Sequence, residues 1–314
     1  PPAFWETVMA LVPFRRSETS RSAAQLSDFL SGYSIEVMPR TAAKVADFRA
    51  LLPEGTRVYI AHIDGTPIED MVATARRLAG EGFTVMPHFP ARVIPDARTL
   101  ADWIARYRGE AGVEEALLLG GGLAQPRGDF RDSMQLIETG LFAGFTRLHV
   151  AGHPEGNRDI DPSGGDRMVM EALRWKQAFS ERTDAEMAIV TQFAFEADPI
   201  VAWAERIAAE GIALPVHIGV AGPAKLQTMI QFAVACGVGP SLRVLQRRAR
   251  DVTKLVKPFE PTDLVARLAA HKAAHPGFGI ERVHLFPLGG IAASADWAQR
   301  MGAGPQAETG AFGT

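Results

Sequence analysis

"YSIEVMPR", residues 33–40, is a short apolar run that carries an acid near its middle and ends in a Pro and an Arg. Tyr33, Ile35 and Val37 share one side at the period-2 spacing of a strand, with Glu36 set in the run between them. It is the first of a series. Further β-rich runs stand at 57–62 (RVYIAH), 83–88 (FTVMPH), 115–119 (EALLL), 145–151 (FTRLHVA), 187–192 (MAIVTQ), 214–219 (LPVHIG) and 282–287 (RVHLFP). Helical spacing falls between them, near 41–51, 66–80, 97–109, 131–143, 165–180, 198–210 and 222–235, with two or three helices between 240 and 275. Eight strands separated by helices is the count of a (β/α)8 TIM barrel, since parallel neighbours need crossover connections and helices supply them. The strands are mostly continuous apolar runs, as expected when both faces are covered. An open doubly wound sheet would need a Gly-rich phosphate loop after its first strand. Here "MPRT" (38–41) follows, and "GGGL" (120–123) does not match GxGxxG.

The pattern implies an N-terminal extension over 1–32 with a helix near 20–31, a single barrel over 33–300, and a loose tail over 301–314. A chain of 314 residues with 47% hydrophobic content can bury a large core. Its formal net charge of −3 offers no basic field for a polyanion, so nucleic acid is not an expected partner. Cys236 is the one cysteine, so no intramolecular disulfide forms, which fits a reducing compartment. No apolar run approaches the roughly 18 residues of a membrane helix. The expectation is a cytoplasmic protein with no membrane partner; a homo-oligomer is compatible with the sequence and is not specified by it.

In a barrel the chemistry sits at the C-terminal ends of the strands. Those ends are polar for such apolar strands: Glu36, His62, His88, Gly120, Gly121, Gly122, His149 with His153, Gln192 and His217, while His284 lies within the last strand. Each histidine alone is most simply a hydrogen-bonded rim or core residue. There is no HxH or HExxH, and carboxylates near the histidines are sparse, so no metal site is expected. Glu36 differs. A carboxyl beside an apolar interior loses solvation, which raises its pKa and favours a neutral general acid; the structural alternative is an ion pair with Arg40. The basic residues Arg243, Arg247, Arg250, Lys254 and Lys257 share a helical spacing and read as a solvated helix face, and Trp103, Trp175 and Trp203 read as helix-to-barrel packing.

The stretches "IEVMPR" (35–40), "VAGHPEG" (150–156), "LRWK" (173–176) and "IVTQFAFE" (189–196) resemble motifs of the methylenetetrahydrofolate reductase family, in the family's order, across roughly residues 30–290. The resemblance implies a reductase that converts 5,10-methylenetetrahydrofolate to 5-methyltetrahydrofolate with NADH or NADPH through bound FAD. It implies that Glu36 is the acid that helps open the folate ring, that Gln192 hydrogen-bonds the pterin and that Phe195 walls the same pocket. It implies that His88, His153, Asn157 and Lys176, with His62 and the backbone of Gly120–Gly122, line the FAD groove. The chain departs from the family where an acid is usual after strand four, which is Gly122 here, and where Ala61, His62 and His153 replace a threonine and two tyrosines. Those departures leave room for a flavin-free reductase, a folate-dependent methyl-transfer barrel without redox chemistry, or an inactive folate-binding relative.

Overall fold

The computed structural model describes residues 21–235 and 258–303. Eight parallel strands close into a barrel in chain order: β1 (Ser34–Val37), β2 (Arg57–Ile60), β3 (Thr84–Pro90), β4 (Glu115–Leu119), β5 (Arg147–Gly152), β6 (Glu186–Ala194), β7 (Val216–Ala221) and β8 (Ile280–Phe286). Closure is the β1–β8 pairing, Ser34 opposite His284 and Ile35 opposite Leu285. The helices are α1 (21–30), α2 (Pro39–Ala42), α3 (Ile68–Gly80), α4 (Ala97–Ala111), α5 (Ser133–Glu138), α6 (Arg167–Ser180), α7 (Ala197–Ala209), α8 (Leu226–Ala235), α9 (Thr262–Ala274) and α10 (Ile291–Arg300). The (β/α)8 architecture with a helix ahead of β1 is therefore the one the strand series predicts.

Alternation along each strand divides the core in two. Ile35, Val37, Val58, Ile60, Leu118, Val150, Ile218, Val283 and Leu285 face outward and are buried against the helices. Inside, Tyr59, Met86, Leu117 and Val190 form a smaller cluster. α1 buries Leu26, Phe29 and Leu30. It is tied to the C-terminal end by Ser27 Oγ, which donates to the Gly302 carbonyl, while Arg282 donates to the Gly32 carbonyl across the barrel seam.

Two segments differ from the sequence reading. The helix expected over 41–51 is only the four-residue α2 and a 3-10 turn at Phe48–Ala50. Pro39 starts α2, and the Thr41 hydroxyl accepts from the Met38 amide and donates to the Met38 carbonyl, so the turn closes on itself and does not propagate. The stretch around α5 is likewise shorter than 131–143, starting where the Asp132 carboxylate accepts from the amides of Met134 and Gln135. Of the region from 240 to 275, α9 is described; Cys236, the basic series from Arg243 to Lys257, residues 1–20 and the end of the tail lie outside the described residues. Trp103 and Trp203 are buried, and Trp175 packs partly buried against the outer core.

Candidate functional site

Glu36 is the third residue of β1, and its side chain turns into the barrel toward the mouth. Its Oε2 lies 3.3 Å from Nε2 of His88 on β3 and 3.9 Å from Nε2 of His284 on β8. Ser34 Oγ and His284 Nδ1 are 2.9 Å apart. With the hydroxyl donating there, His284 carries its ring proton on Nε2, the atom that faces the carboxylate. Ser34, Glu36 and His284 are thus one polar set, and Arg40 takes no part in it among the described contacts.

The charge state of Glu36 is a correction to the sequence reading. Burial does push its pKa up, as expected, but the polar imidazoles of His284 and His88 close to the carboxylate outweigh it, and the net shift is downward. Glu36 rests as a carboxylate at neutral pH rather than as a neutral acid. His88 shows the converse: burial drives it down to about 4 against the pull of Glu36, so it is a neutral imidazole at pH 7. The missed signal was the number of histidines that share the interior with Glu36. His284 was recognisable only as a mid-strand residue, because nothing local says that β8 closes against β1.

The second group stands on β5, β6 and α6. β6 carries a register irregularity between Val190 and Phe193. Thr191 stitches it, its Oγ1 donating to the Gln192 carbonyl and accepting from the Gly219 amide, both at 2.8 Å. The bulge re-aims Gln192 so that its side chain hydrogen-bonds His153. Burial, then the charge of Lys176, holds His153 down at about 4 despite that bond. Lys176 is buried on α6 and pulled down to about 8 by desolvation, with Asp132 as the nearest compensating charge. Gln192, His153 and Lys176 are therefore brought together.

Phe195 follows the bulge and is buried in an apolar cluster with Phe193, Ala221, Leu226, Met229 and Phe259. Phe193 meets Phe286 edge-on at 5.5 Å, and Phe286 meets the His284 ring at 4.8 Å. An aromatic wall therefore runs from β6 to the imidazole beside Glu36. Close approach of backbone at Gly219 makes this possible: a Cβ there would sit 2.4 Å from the Thr191 carbonyl oxygen.

The remaining predicted residues are placed elsewhere. His62 stacks on Trp103 at 4.7 Å and shares a hydrogen bond with the Thr66 carbonyl. Asn157 accepts from the amides of Asp159 and Ile160 and so shapes the loop after β5. The Gly120 carbonyl accepts from the Arg92 amide, Gly121 holds a left-handed conformation against Pro90, and a side chain at Gly122 would meet open space. His149 and His217 are corrections: they lie deep in the barrel, not on its rim, because β5 begins at Arg147 and β7 at Val216. Among the described residues no group of three or more His, Cys, Asp or Glu side chains is arranged to hold a metal ion. No helix among them is long and apolar enough to cross a membrane. A groove of 730 Å³ runs between α2, the β2–α3 loop and α3, beside the mouth and away from Glu36.

No protein-family pattern matches the chain. Among solved structures, the chain is similar to an uncharacterized protein from Clostridium thermocellum that binds two copies of 5-methyl-5,6,7,8-tetrahydrofolic acid, with a TM-score of 0.54, 11% identity, and coverage of 89% of this chain and 98% of that one. A Thermomonospora fusca β-mannanase in complex with mannohexaose aligns over 60% of this chain and 69% of its own at 13% identity, with a TM-score of 0.38. The first likeness is one of fold, a TIM barrel shared with a methyltetrahydrofolate-binding protein.

Proposed function

We propose that the chain binds a reduced folate at the C-terminal mouth of the barrel and acts on the one-carbon unit at its N5. The observation that carries this reading is the pairing of the Glu36–His88–His284 set with the aromatic wall of Phe193 and Phe286. A flat heterocycle with polar edges needs both an apolar face to lie on and hydrogen-bonding groups at its rim. Gln192 supplies amide donors and acceptors matched to a pterin edge. The shared fold with a protein that binds 5-methyltetrahydrofolic acid supports the same ligand class.

The finer reading is reduction of 5,10-methylenetetrahydrofolate by NADH or NADPH. A protonated Glu36 gives its proton to N10; the bond from the methylene carbon to N10 breaks with its electron pair going to nitrogen. The cation left at N5 faces the Glu36 carboxylate so formed, and hydride adds to the methylene carbon to give N5-methyl while the nicotinamide is oxidised. Because Glu36 rests as a carboxylate, it must collect a proton before each turnover.

For FAD the fit is partial. Lys176 and His153 would face its phosphates, and His153 Nδ1 is buried without a hydrogen-bond partner. His62 and Asn157 are held by internal contacts instead. Bound flavin would supply the hydride; without it the nicotinamide supplies it directly.

The test is titration of the purified chain with 5-methyltetrahydrofolate by calorimetry, followed by folate-dependent oxidation of NADH or NADPH and a visible spectrum for flavin. Saturable folate binding supports the proposal. Binding without nicotinamide oxidation retires the reductase step and favours methyl handling without redox chemistry or an inactive relative. Absence of binding overturns the reading.

A further inference from the structure

The polar set at the mouth does not stop there. Inside the barrel Tyr59 Oη lies 2.6 Å from His149 Nδ1, and Ser34, bonded to His284, lies near enough to Tyr59 to act on its hydroxyl. Tyr59 packs edge-on against His284 at 4.4 Å, and His149 against His217 at 4.8 Å. His149 Nε2 and His217 Nδ1 are both buried and without a hydrogen-bond partner, so each has a ring nitrogen ready to serve the other directly or through one water. Met86, Leu117 and Val190 fill the remaining interior with apolar atoms, which confines the polar groups to one file. His217 in turn lines a cavity of 680 Å³ at the opposite, N-terminal end of the barrel, walled by Arg57, Arg147, Glu186 and Arg282. Glu186 there is 68% exposed, so the cavity meets solvent.

We propose that His217, His149 and Tyr59 form a proton path that feeds the Ser34–His284–Glu36 set from the floor of the barrel. Two links are hydrogen bonds as they stand, Tyr59–His149 and Ser34–His284; the others, His217 to His149 with ring centroids 4.8 Å apart, Tyr59 to Ser34, and His284 Nε2 to Glu36 at 3.9 Å, close by small side-chain rotations. A cavity water gives a proton to His217 Nε2, and His217 Nδ1 gives one to His149 Nε2. His149 Nδ1 then gives to Tyr59 Oη, Tyr59 to Ser34 Oγ, Ser34 to His284 Nδ1, and His284 Nε2 to the Glu36 carboxylate. Each imidazole ends with its proton on its other nitrogen and each hydroxyl with a new proton in place of the one released, so the charge of one proton moves to Glu36 and the cavity water is left as hydroxide, which the open solvent neutralises. Burial, reinforced by the neighbouring histidines and arginines, holds His149 and His217 well below their ordinary pKa, which keeps both neutral and able to accept on one nitrogen while donating from the other. His284 is fully buried in the ligand-free barrel, so the file from the floor is its supply with or without a ligand at the mouth, and only the use of the delivered proton rests on the folate reading.

The experiment follows the imidazole N–H protons of ligand-free protein carrying 15N-labelled histidine, measuring their exchange with water by NMR. Folate binding plays no part in it, so its outcome is separable from that of the ligand titration. In Tyr59→Phe, exchange at His284 slows by about tenfold or more while His149 keeps its rate. In His217→Gln, exchange slows at both His149 and His284. Unchanged melting temperatures establish that each variant is folded, and either variant alone decides the matter if the other fails to fold. The reverse pattern in Tyr59→Phe, with His149 slowed and His284 spared, means that protons enter from the mouth and overturns the proposal, as does wild-type exchange in both folded variants.

Discussion

Glu36 and His88 meet across the barrel mouth, 3.3 Å from Oε2 to Nε2, although they stand on β1 and β3 with β2 between them. Each is the other's nearest electrostatic partner in opposite senses: the imidazole favours the carboxylate, and the carboxylate favours imidazolium against a larger desolvation cost. Glu36→Gln removes one side of that pair. The expected outcome is a loss of folate turnover of roughly 10²–10⁴-fold with a near-native circular dichroism spectrum. In the same variant the His88 pKa moves further below about 4, because the one group raising it is gone. An NMR titration of His88 reads that shift whether or not the enzyme reading holds.

Gln192 is expected to touch the ligand and also to orient His153. Gln192→Ala should weaken 5-methyltetrahydrofolate binding by about tenfold, equivalent to about 1.4 kcal/mol, and lower the His153 pKa by removing its supporting bond. Calorimetry and a histidine titration check the two effects separately.

The bulge that aims Gln192 depends on Gly219. A methyl group there would press to 2.4 Å from the Thr191 oxygen and 2.7 Å from the Gln192 carbonyl carbon, both backbone atoms. Gly219→Ala should therefore cost on the order of 1–3 kcal/mol in urea unfolding. It should also reduce folate affinity more than Gln192→Ala does, since the strand that carries both Gln192 and the phenylalanines must move.

Stability should fall as pH drops from 6.5 toward 4. His88 and His153 titrate near 6.5 when unfolded and at about 4 when folded, so in that window the unfolded chain binds more protons and stability rises with pH. His149 and His217 shift in the same direction, and Glu36, whose folded pKa is depressed, adds a loss at the acid end. The contribution of His88 alone, from the fall of its pKa from 6.5 to about 4, is about 3 kcal/mol. Urea midpoints measured across the window test it; a midpoint that is flat between the two values would contradict the neutral-histidine interior.

At the barrel floor, Glu115 takes a bidentate contact from Arg57, at 2.6 and 3.0 Å, and a third from Arg147 at 3.3 Å. Glu115→Ala leaves the largely buried Arg57 without its carboxylate, and the expected destabilisation is about 3 kcal/mol. Glu115→Gln should recover part of it by keeping acceptors for the guanidinium groups. Urea unfolding of the two variants measures both.

The strand series was legible in the chain because it depends on local facts: period-2 alternation, continuous apolar runs and helical spacing between them, as in "EALLL" at 115–119, which is β4 as read. Glu36, Gln192, His153 and Lys176 could be singled out by residue type at strand ends or by motif. What local pattern could not supply was which of them meet. His284 joins Glu36 only because β8 closes on β1, Gln192 reaches His153 only because Thr191 and Gly219 bend β6, and His149 and His217 enter the interior file only because their strands start two and one residues before them. The same closure set the ionisation of Glu36. Burial of one carboxyl follows from the composition of its own strand, but the countervailing histidines come from strands that are distant in sequence, and electrostatics acts through space rather than along the chain. The sequence by itself determined that this chain would close a barrel; the tertiary structure decided that the acid at its mouth is an anion, because only the closed ring puts β3 and β8 beside β1.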